Sequence, residues 1–540
     1  MFEEFYTGPM DELDLGGFDA NFLSVYRQSE NKTKILYSTS AVGAGMPVFD
    51  EPDVTTQSAT TGKIFAGRGT SENYQTLYGH DASTVEKGIN SAIGRLTGDK
   101  DDAFFDNIYA RGPAIGTVYR AAEFEKDPHQ YQTQVKDYMK QIADEIKAAN
   151  PDIKTVKVQY TLTETTDDYQ DNLNNHLCEE RMLGHLAVQI ELTKKVTDEE
   201  GNEVETVVTG FDSIGTTSGA ELVLDGLKGT AYSALNKARI QYNAHKMPVK
   251  DGEKVRVMFG GKVTGVFIHE MVGHMAEADA VLEGGRLGQK YGEVIAPDFV
   301  TIKEIAQFPG GHGNIYYDNE MMKANDLTIM ENGAVTGFMT DRHTAVELAN
   351  RMGIDMGVTG NGRSQDGSYD PMPRMRNTIL ENGENTHEEL LAQLGTGLYI
   401  VGSSGGYVYT STGQFAVKAS EAYWVENGEI QYAVDAAAVS GYSLDVLGKI
   451  EALGDDATED NFVGFCGKGG WWSAQWAPVS GVGPEVLVSE MSVGEGGFAR
   501  SDLSRISEDK IDRPFEFESF GRSGETFGRH IVTDNGVLWW

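Results

Sequence analysis

Basic residues are scarce in this chain: its 540 residues hold 45 Lys and Arg against 82 Asp and Glu, a formal net charge of −37. A surface that binds phosphate backbones needs basic stripes that release counterions, and a field this negative repels such partners, so no nucleic-acid partner is expected. Cysteine is scarcer still, with Cys178 and Cys466 alone. Two thiols exclude a disulfide framework and fit a reducing compartment. No run of about 18 apolar residues occurs, and the chain opens Met1-Phe2-Glu3-Glu4-Phe5, acidic where a secretory signal is basic. No membrane span is expected, and a cytoplasmic protein is. Proline is low at 14 and glycine high at 64, which implies many turns and close backbone approaches. Hydrophobic residues make up 40% and aromatics 10%, enough for the core that a disordered acidic chain lacks. At roughly 150 residues per domain, the length allows about three or four units, or two large ones.

Val135, Tyr138, Met139, Ile142 and Ile146 recur at three- and four-residue intervals, which predicts an amphipathic helix over 130–149. A strand is predicted over 154–163, and an antiparallel hairpin over 186–192 and 204–208 about the turn Glu200-Gly201-Asn202. A second helix over about 229–245 ends before Met247-Pro248, and Lys250-Asp251-Gly252-Glu253 reads as a joint. Beyond it, short β-prone runs at 255–259, 398–401, 406–409, 415–417 and 422–425 alternate with turns at Asn332-Gly333, Gly405-Gly406 and Asn427-Gly428. The expected class is α+β. An N-terminal antiparallel sheet with packed helices occupies 1–247, a mostly antiparallel, meandering β domain carrying one site-bearing helix occupies 248–496, and 497–540 is an extension with an aromatic end, Trp539-Trp540. The embedded helix starts near Thr264, a candidate N-cap, and buries Val266, Phe267, Met271, Val272 and Met275.

That helix holds His269-Glu270-Met271-Val272-Gly273-His274. When two histidines stand four apart, as in His-Glu-x-x-His, they sit about 40° apart around the axis and reach one zinc. Here they stand five apart, about 140° on a regular helix, too far around for one metal. A single π-type turn absorbs the additional residue and restores a shared face, and Gly273 makes the distortion sterically easy. The bland alternative is two buried histidines, each hydrogen-bonded to a carbonyl or carboxylate. A hydrolytic zinc takes three protein ligands and keeps a fourth position for water. Cys466 leads as the third, because the surrounding glycines of Gly464-Phe465-Cys466-Gly467-Lys468-Gly469-Gly470 expose the thiol and Lys468 favours the thiolate. His312, Glu277 and Asp279 are the other candidates, the two acids ranking as partners that orient the histidines from behind. Cys178, beside Glu179 and Glu180, reads as a buried inert thiol.

Several motifs stand in one order: His269 to His274 continuing to Glu277 and Asp279; Gly360-Asn361-Gly362-Arg363; Pro373-Arg374-Met375-Arg376-Asn377; Gly397-Leu398-Tyr399; Gly405-Gly406; and Cys466-Gly467-Lys468. On these the chain resembles the TldD/PmbA family of zinc peptidases, in its TldD-like branch, from about residue 250 to 495 and more weakly before. The resemblance implies that Zn2+ is held by His269, His274 and Cys466 and that Glu270 serves the catalytic water. It further implies hydrolysis of unfolded or small peptides in an enclosed dimer cavity, formed with a second copy or a PmbA-like subunit. The PmbA branch lacks the metal site, so the chain resembles the active subunit. Gly405, Gly406 and Arg376 are the substrate-contact candidates. Two departures concern substrate preference and the chain's end: Gly470-Trp471-Trp472, followed by Trp476, stands where the family has a glutamine, and the tail passes the family's usual end. Other readings are maturation of one specific modified peptide, a non-catalytic peptide-binding partner subunit, and a DNA- or gyrase-associated regulator, against which the charge speaks.

Overall fold

The computed structural model describes residues 15–20, 22–39, 51–68, 71–77, 82–97, 117–120, 131–173, 175–197, 202–216, 221–435, 438–457, 462–469, 475–494, 531–533 and 536–538. The Met1 opening, Glu200-Gly201, Gly470-Trp471-Trp472 and nearly all of 497–540, including Trp539-Trp540, lie outside the described residues.

Seven strands form the N-terminal sheet: β1 (Phe22–Ser38), β2 (Asp53–Arg68), β3 (Ser71–Leu77), β4 (Thr117–Arg120), β5 (Ile153–Asp171), β6 (His176–Thr197) and β7 (Glu203–Thr216). The order is β3-β2-β1-β5-β6-β4, with β7 also on β6, and every pairing is antiparallel except β4 with β6. Leu192 pairs with Val208, so the expected hairpin is present, and it runs well beyond the apolar stretches that announced it. Alternate residues Val156, Val158, Tyr160 and Leu162 of β5 and Leu186, Val188, Ile190 and Leu192 of β6 face one buried layer. Against it lie the helices α1 (Gln132–Ala149), through Val135, Met139, Ile142 and Ile146, and α2 (Glu221–Asn243), through Val223, Leu227, Ala231 and Ala234. The second helix starts earlier than its sequence predicts. Gly226 and Gly229 lower local helix propensity, but burial of Val223 and Leu227 overrides it.

The C-terminal half opens with β8 (Lys254–Phe259) and α3 (Gly261–Ile268). Its later strands are β9 (Ile302–Ile305), β10 (Leu327–Glu331), β11 (Ala334–Val335), β12 (Gly362–Arg363), β13 (Met372–Pro373), β14 (Asn377–Leu380), β15 (Gly397–Tyr409), β16 (Gln414–Glu426), β17 (Glu429–Ala433), β18 (Ala438–Tyr442), β19 (Ile450–Leu453), β20 (Phe462–Lys468), β21 (Gln475–Val482) and β22 (Val486–Gly494). One sheet runs β15-β8-β22-β18-β16-β17, and β15 also pairs with β16, closing a ring. The other runs β11-β10-β9-β14-β21-β20. Only β8 with β15 and β14 with β21 are parallel among these pairs, so the half is mostly antiparallel. The architecture is α+β, as expected.

Three local expectations change. The runs at 398–401 and 406–409 are one strand, as are 415–417 and 422–425, because the polar and glycine residues between them keep pairing. Gly405-Gly406 is therefore no turn; it lies within β15, where the register against β16 slips between Ser403 and Gly406. Asn427-Gly428, with φ of 53° and 77°, is the expected tight turn, joining β16 to β17. Thr264 is no N-cap either: Gly260 holds that position, and the Thr264 hydroxyl donates to its carbonyl from inside the first turn.

Helix α3 runs through the core of this half, packed between β15 of one sheet and β14 and β21 of the other. Val263, Val266 and Phe267 join Phe259, Ile400, Phe415 and Val488 in one buried cluster. The N-terminal sheet is pinned to the start of this helix by a carboxylate. Asp212 of β7 accepts from Lys262 at 2.8 Å and from Lys237 at 3.0 Å. Burial works to raise the Asp212 pKa, but the two ammonium groups outweigh it and bring it down to about 2.

An Asp whose folded pKa lies below its unfolded value of about 3.9 contributes stability that is complete above that value and is lost as pH falls towards the folded one. At pH 7 the contribution is about 2–3 kcal/mol on the linkage relation. Asp212→Asn is expected to unfold more readily in urea than the parent at pH 7, with the gap shrinking from about pH 4 to about pH 2. A pH-independent gap would show that the carboxylate charge is not what joins the elements.

Candidate metal centre

The chain continues from α3 into a π turn, His269–Gly273, and a 3-10 turn, His274–Ala276. The His274 amide bonds the carbonyl of His269, five residues back. The i→i+5 bonding of this turn absorbs the additional residue between the histidines. Their ring centroids lie 4.9 Å apart, nearly perpendicular at 85°. Gly273 serves this turn by a different route from the one expected. Its backbone is ordinary right-handed helix, φ −54° and ψ −58°, but a Cβ there would stand 2.0 Å from the Met375 sulfur. Close approach, not conformational freedom, requires the glycine.

Cys466 arrives from β20, far away in sequence, and its sulfur lies 3.3 Å from His274 Nε2. The three donor atoms offered by His269, His274 and Cys466 all lie within 4.8 Å of one another, and all three residues are buried. Glu270 is buried within the same π turn. Its side chain lies against β15, where a Cβ at Gly406 would come within 2.8 Å of Glu270 Cγ. Gly406 thus stands beside Glu270, with Gly405 next to it in β15.

The charges around this cluster fit a cation. Burial works to raise the Cys466 pKa, but His274, Arg374 and His269 outweigh it and hold the thiol well below its ordinary range. Lys468 was the expected cause; its ammonium instead binds Glu277 and Asp279. His274 is pushed the other way: burial lowers it, and Cys466 and Glu277 more than offset that. Burial raises the Glu270 carboxyl above the ordinary range, with the neighbouring imidazoles opposing. Glu277 Oε2 lies 3.1 Å from His274 Nδ1. As a carboxylate only accepts, Nδ1 carries a hydrogen, and Nε2 is the ring nitrogen turned towards Cys466. Burial works to raise the Glu277 pKa, but Lys468 and His274 bring it down to about 2. His269 Nδ1 is buried with no hydrogen-bond partner. A thiolate and two imidazoles, one of them with an orphaned ring nitrogen, brought together out of water are the donor chemistry of a three-ligand divalent metal site.

The remaining candidates fall elsewhere. His312 bonds the Gly464 carbonyl through Nδ1 at 3.2 Å and packs on Phe465, which faces away from Cys466 on alternate sides of β20. It is outside the donor group. Asp279 reaches Lys468 at 2.7 Å and not an imidazole. Arg376 is wholly buried, pairs with Glu304 at 3.5 Å and donates to the Asn325 carbonyl at 2.8 Å, contacts that brace strands. Cys178 is buried in β6. Sequence reasoning missed Arg374, whose guanidinium donates to the backbone carbonyls of Cys466 and, at 3.3 Å, Gln475. The available signal was its place two residues before Arg376 in the same motif, on the same side of an extended segment.

Residues 252–495 match the family model described as the PmbA/TldA metallopeptidase C-terminal domain. A metalloprotease of Archaeoglobus fulgidus is 34% identical over 313 residues, 54% of this chain and 68% of its own. A zinc metalloprotease TldD homolog of Saccharolobus solfataricus is 25% identical over 409 residues, 75% of this chain and 86% of its own. The chain spans about half the length of other curated relatives it matches, 53% and 48% in two metalloproteases that are 36% and 38% identical. Among solved structures, TldE from Thermococcus kodakarensis superposes with a TM-score of 0.64 at 16% identity, covering 90% of this chain and 100% of that one, a likeness of fold alone. With the donor cluster inside the matched segment, the chain belongs to the PmbA/TldD metallopeptidase family.

Proposed function

We propose that this chain is a zinc-dependent peptidase. The observation that carries the reading is the convergence of His269, His274 and Cys466 within 4.8 Å, with Glu270 in the same π turn. Two imidazoles and a thiolate suit zinc better than magnesium, calcium or manganese, which prefer oxygen donors. Bound there, zinc supplies Lewis acidity to a scissile carbonyl and to an attacking water. Glu270, raised by burial towards neutrality, takes the proton of that water and returns it to the leaving amine. Glu277 keeps His274 in the tautomer that presents Nε2. A chain that keeps the whole set reads as the active member of a pair rather than a silent peptide-binding subunit.

The substrate reading rests on β15. Its neighbour β8 pairs with it only across Gly397 to Ile400, so on that side the strand carries no ladder partner beyond Ile400 among the described residues, where it passes Glu270. An extended peptide added to that edge would be held by main-chain hydrogen bonds with little regard for its sequence. Unfolded or small peptides fit such a site, enclosed in a cavity made with a second copy or with a PmbA/TldE-like chain. The division at 1–247, 248–496 and 497–540 belongs to the same proposal, with every proposed reacting group in the second unit. A reducing, cytoplasmic location suits two cysteines that are both free, and no described helix is long and apolar enough to cross a membrane.

Elemental emission on the purified chain is expected to find about one zinc per chain, the single site of a three-ligand set. Cys466→Ala should lose it; full zinc in that variant would move the third ligand elsewhere. Glu270→Gln should keep zinc while peptide turnover falls by about 10²- to 10⁴-fold, the usual span of a general base. Undiminished turnover would remove Glu270 from the chemistry. An unstructured peptide should be cleaved far faster than a stable globular protein at equal concentration, and equal rates would argue against an enclosed site.

A further inference from the structure

We propose that Lys468 is a positioning residue for the metal donors, tying the strand that carries Cys466 to the turn that carries His274 through Glu277. The inference rests on the reading of His269, His274 and Cys466 as ligands and adds to it the device that holds two of them in register.

Lys468 stands two residues past Cys466 on β20, so both side chains leave the same face of the strand. Its Nζ lies 2.9 Å from Glu277 Oε2, 2.7 Å from Asp279 Oδ1 and 2.8 Å from the Pro373 carbonyl, one acceptor for each ammonium hydrogen. The same Glu277 oxygen lies 3.1 Å from His274 Nδ1. One carboxylate oxygen therefore bridges ammonium and imidazole. The path closes on itself: Cys466 to Lys468 along the strand, Lys468 to Glu277, Glu277 to His274, and His274 Nε2 back to the Cys466 sulfur at 3.3 Å. Glu277 is fully buried and the Lys468 side chain is only 17% exposed, so neither can exchange its partner for water without opening the site.

The three acceptors come from two stretches of chain: Glu277 and Asp279 at the start of α4 (Ala278–Leu282), and Pro373 in β13. A single nitrogen with three rotatable hydrogens can serve three such directions at once, whereas a planar guanidinium presents its donors in a fixed fork. Without the ammonium, Glu277 would be a buried carboxylate held by the His274 imidazole alone, able to relax by taking a proton or by swinging away from His274. Either movement frees the imidazole that the metal needs fixed.

The test is the rate at which zinc passes from the loaded, full-length chain to an excess of chromogenic chelator, followed by absorbance. Lys468→Met is expected to release zinc at least about tenfold faster than the parent, the usual scale for partners behind metal ligands. Glu277→Gln should do the same, and the double variant should be no faster than the faster single, because both changes cut one tie. Lys468→Arg should recover part of the loss, and it replaces Lys468→Met in the cycle if the methionine variant does not fold. Release at the parental rate, or effects of the two changes that multiply, would overturn the tie while leaving the ligands in place. A parent chain that takes up no zinc would overturn the ligand reading, and this inference with it.

Discussion

The π turn His269–Gly273, closed by the bond from the His274 amide to the His269 carbonyl, carries the arrangement. Had the turn stayed regular, the imidazoles would sit about 140° apart on the helix and no single ion could meet both. A π turn is less favourable than the α-helix it interrupts. Here it is held by its surroundings: it lies in the main core of the C-terminal half, with Met271 and Val272 buried in the same cluster as Phe259 and Phe415. Two glycines let neighbours close on it, Gly273 under the Met375 sulfur and Gly406 beside Glu270. Packing thus supplies what local propensity withholds.

Around that turn the protein buries several charges that are tied to neighbours. Glu304 accepts from the Arg376 amide and, at 2.9 Å, from the Thr378 hydroxyl. Arg363 donates to the Met375 carbonyl and Arg374 to that of Cys466. Burial and the neighbouring Arg374, Arg181 and Arg376 bring Arg363 down to about 9, a sign of crowded positive charge. A thiolate at Cys466 and the carboxylate of Glu277 relieve part of that crowding. Buried ions of this kind are weak evidence for stability, but they fix geometry, because every departure from it leaves a charge unpaired. The rigidity serves the donors.

Much of the fold was legible from periodicity. The helix at 132–149 showed its stripe plainly, and the β6–β7 hairpin was visible in its apolar centre. Boundaries failed where burial overrode local preference, as at the start of α2, and where polar or glycine residues went on pairing inside β15 and β16. In the site, His269 and His274 could be named from residue type and spacing, with Cys466 leading several candidates for a third donor, and these three do converge. Arg376 could not be judged, since a charged residue in an extended motif gives no sign of whether it faces a cleft or a Glu304 buried behind it. Lys468 was visible as a charge near a thiol, but its partners Glu277 and Asp279 lie about 190 residues away in sequence.

The sequence by itself determined the donor types, the one-residue excess that demands a distorted turn, and the apolar pattern that puts this turn inside. Tertiary structure alone decided which of the candidate third donors meets the imidazoles, what Gly273 makes room for, and which carboxylate orients His274. The physical reason is range. Helix period and strand alternation act over a few residues and are written locally, whereas the contacts that close the site join segments brought together only when the sheets pack around α3.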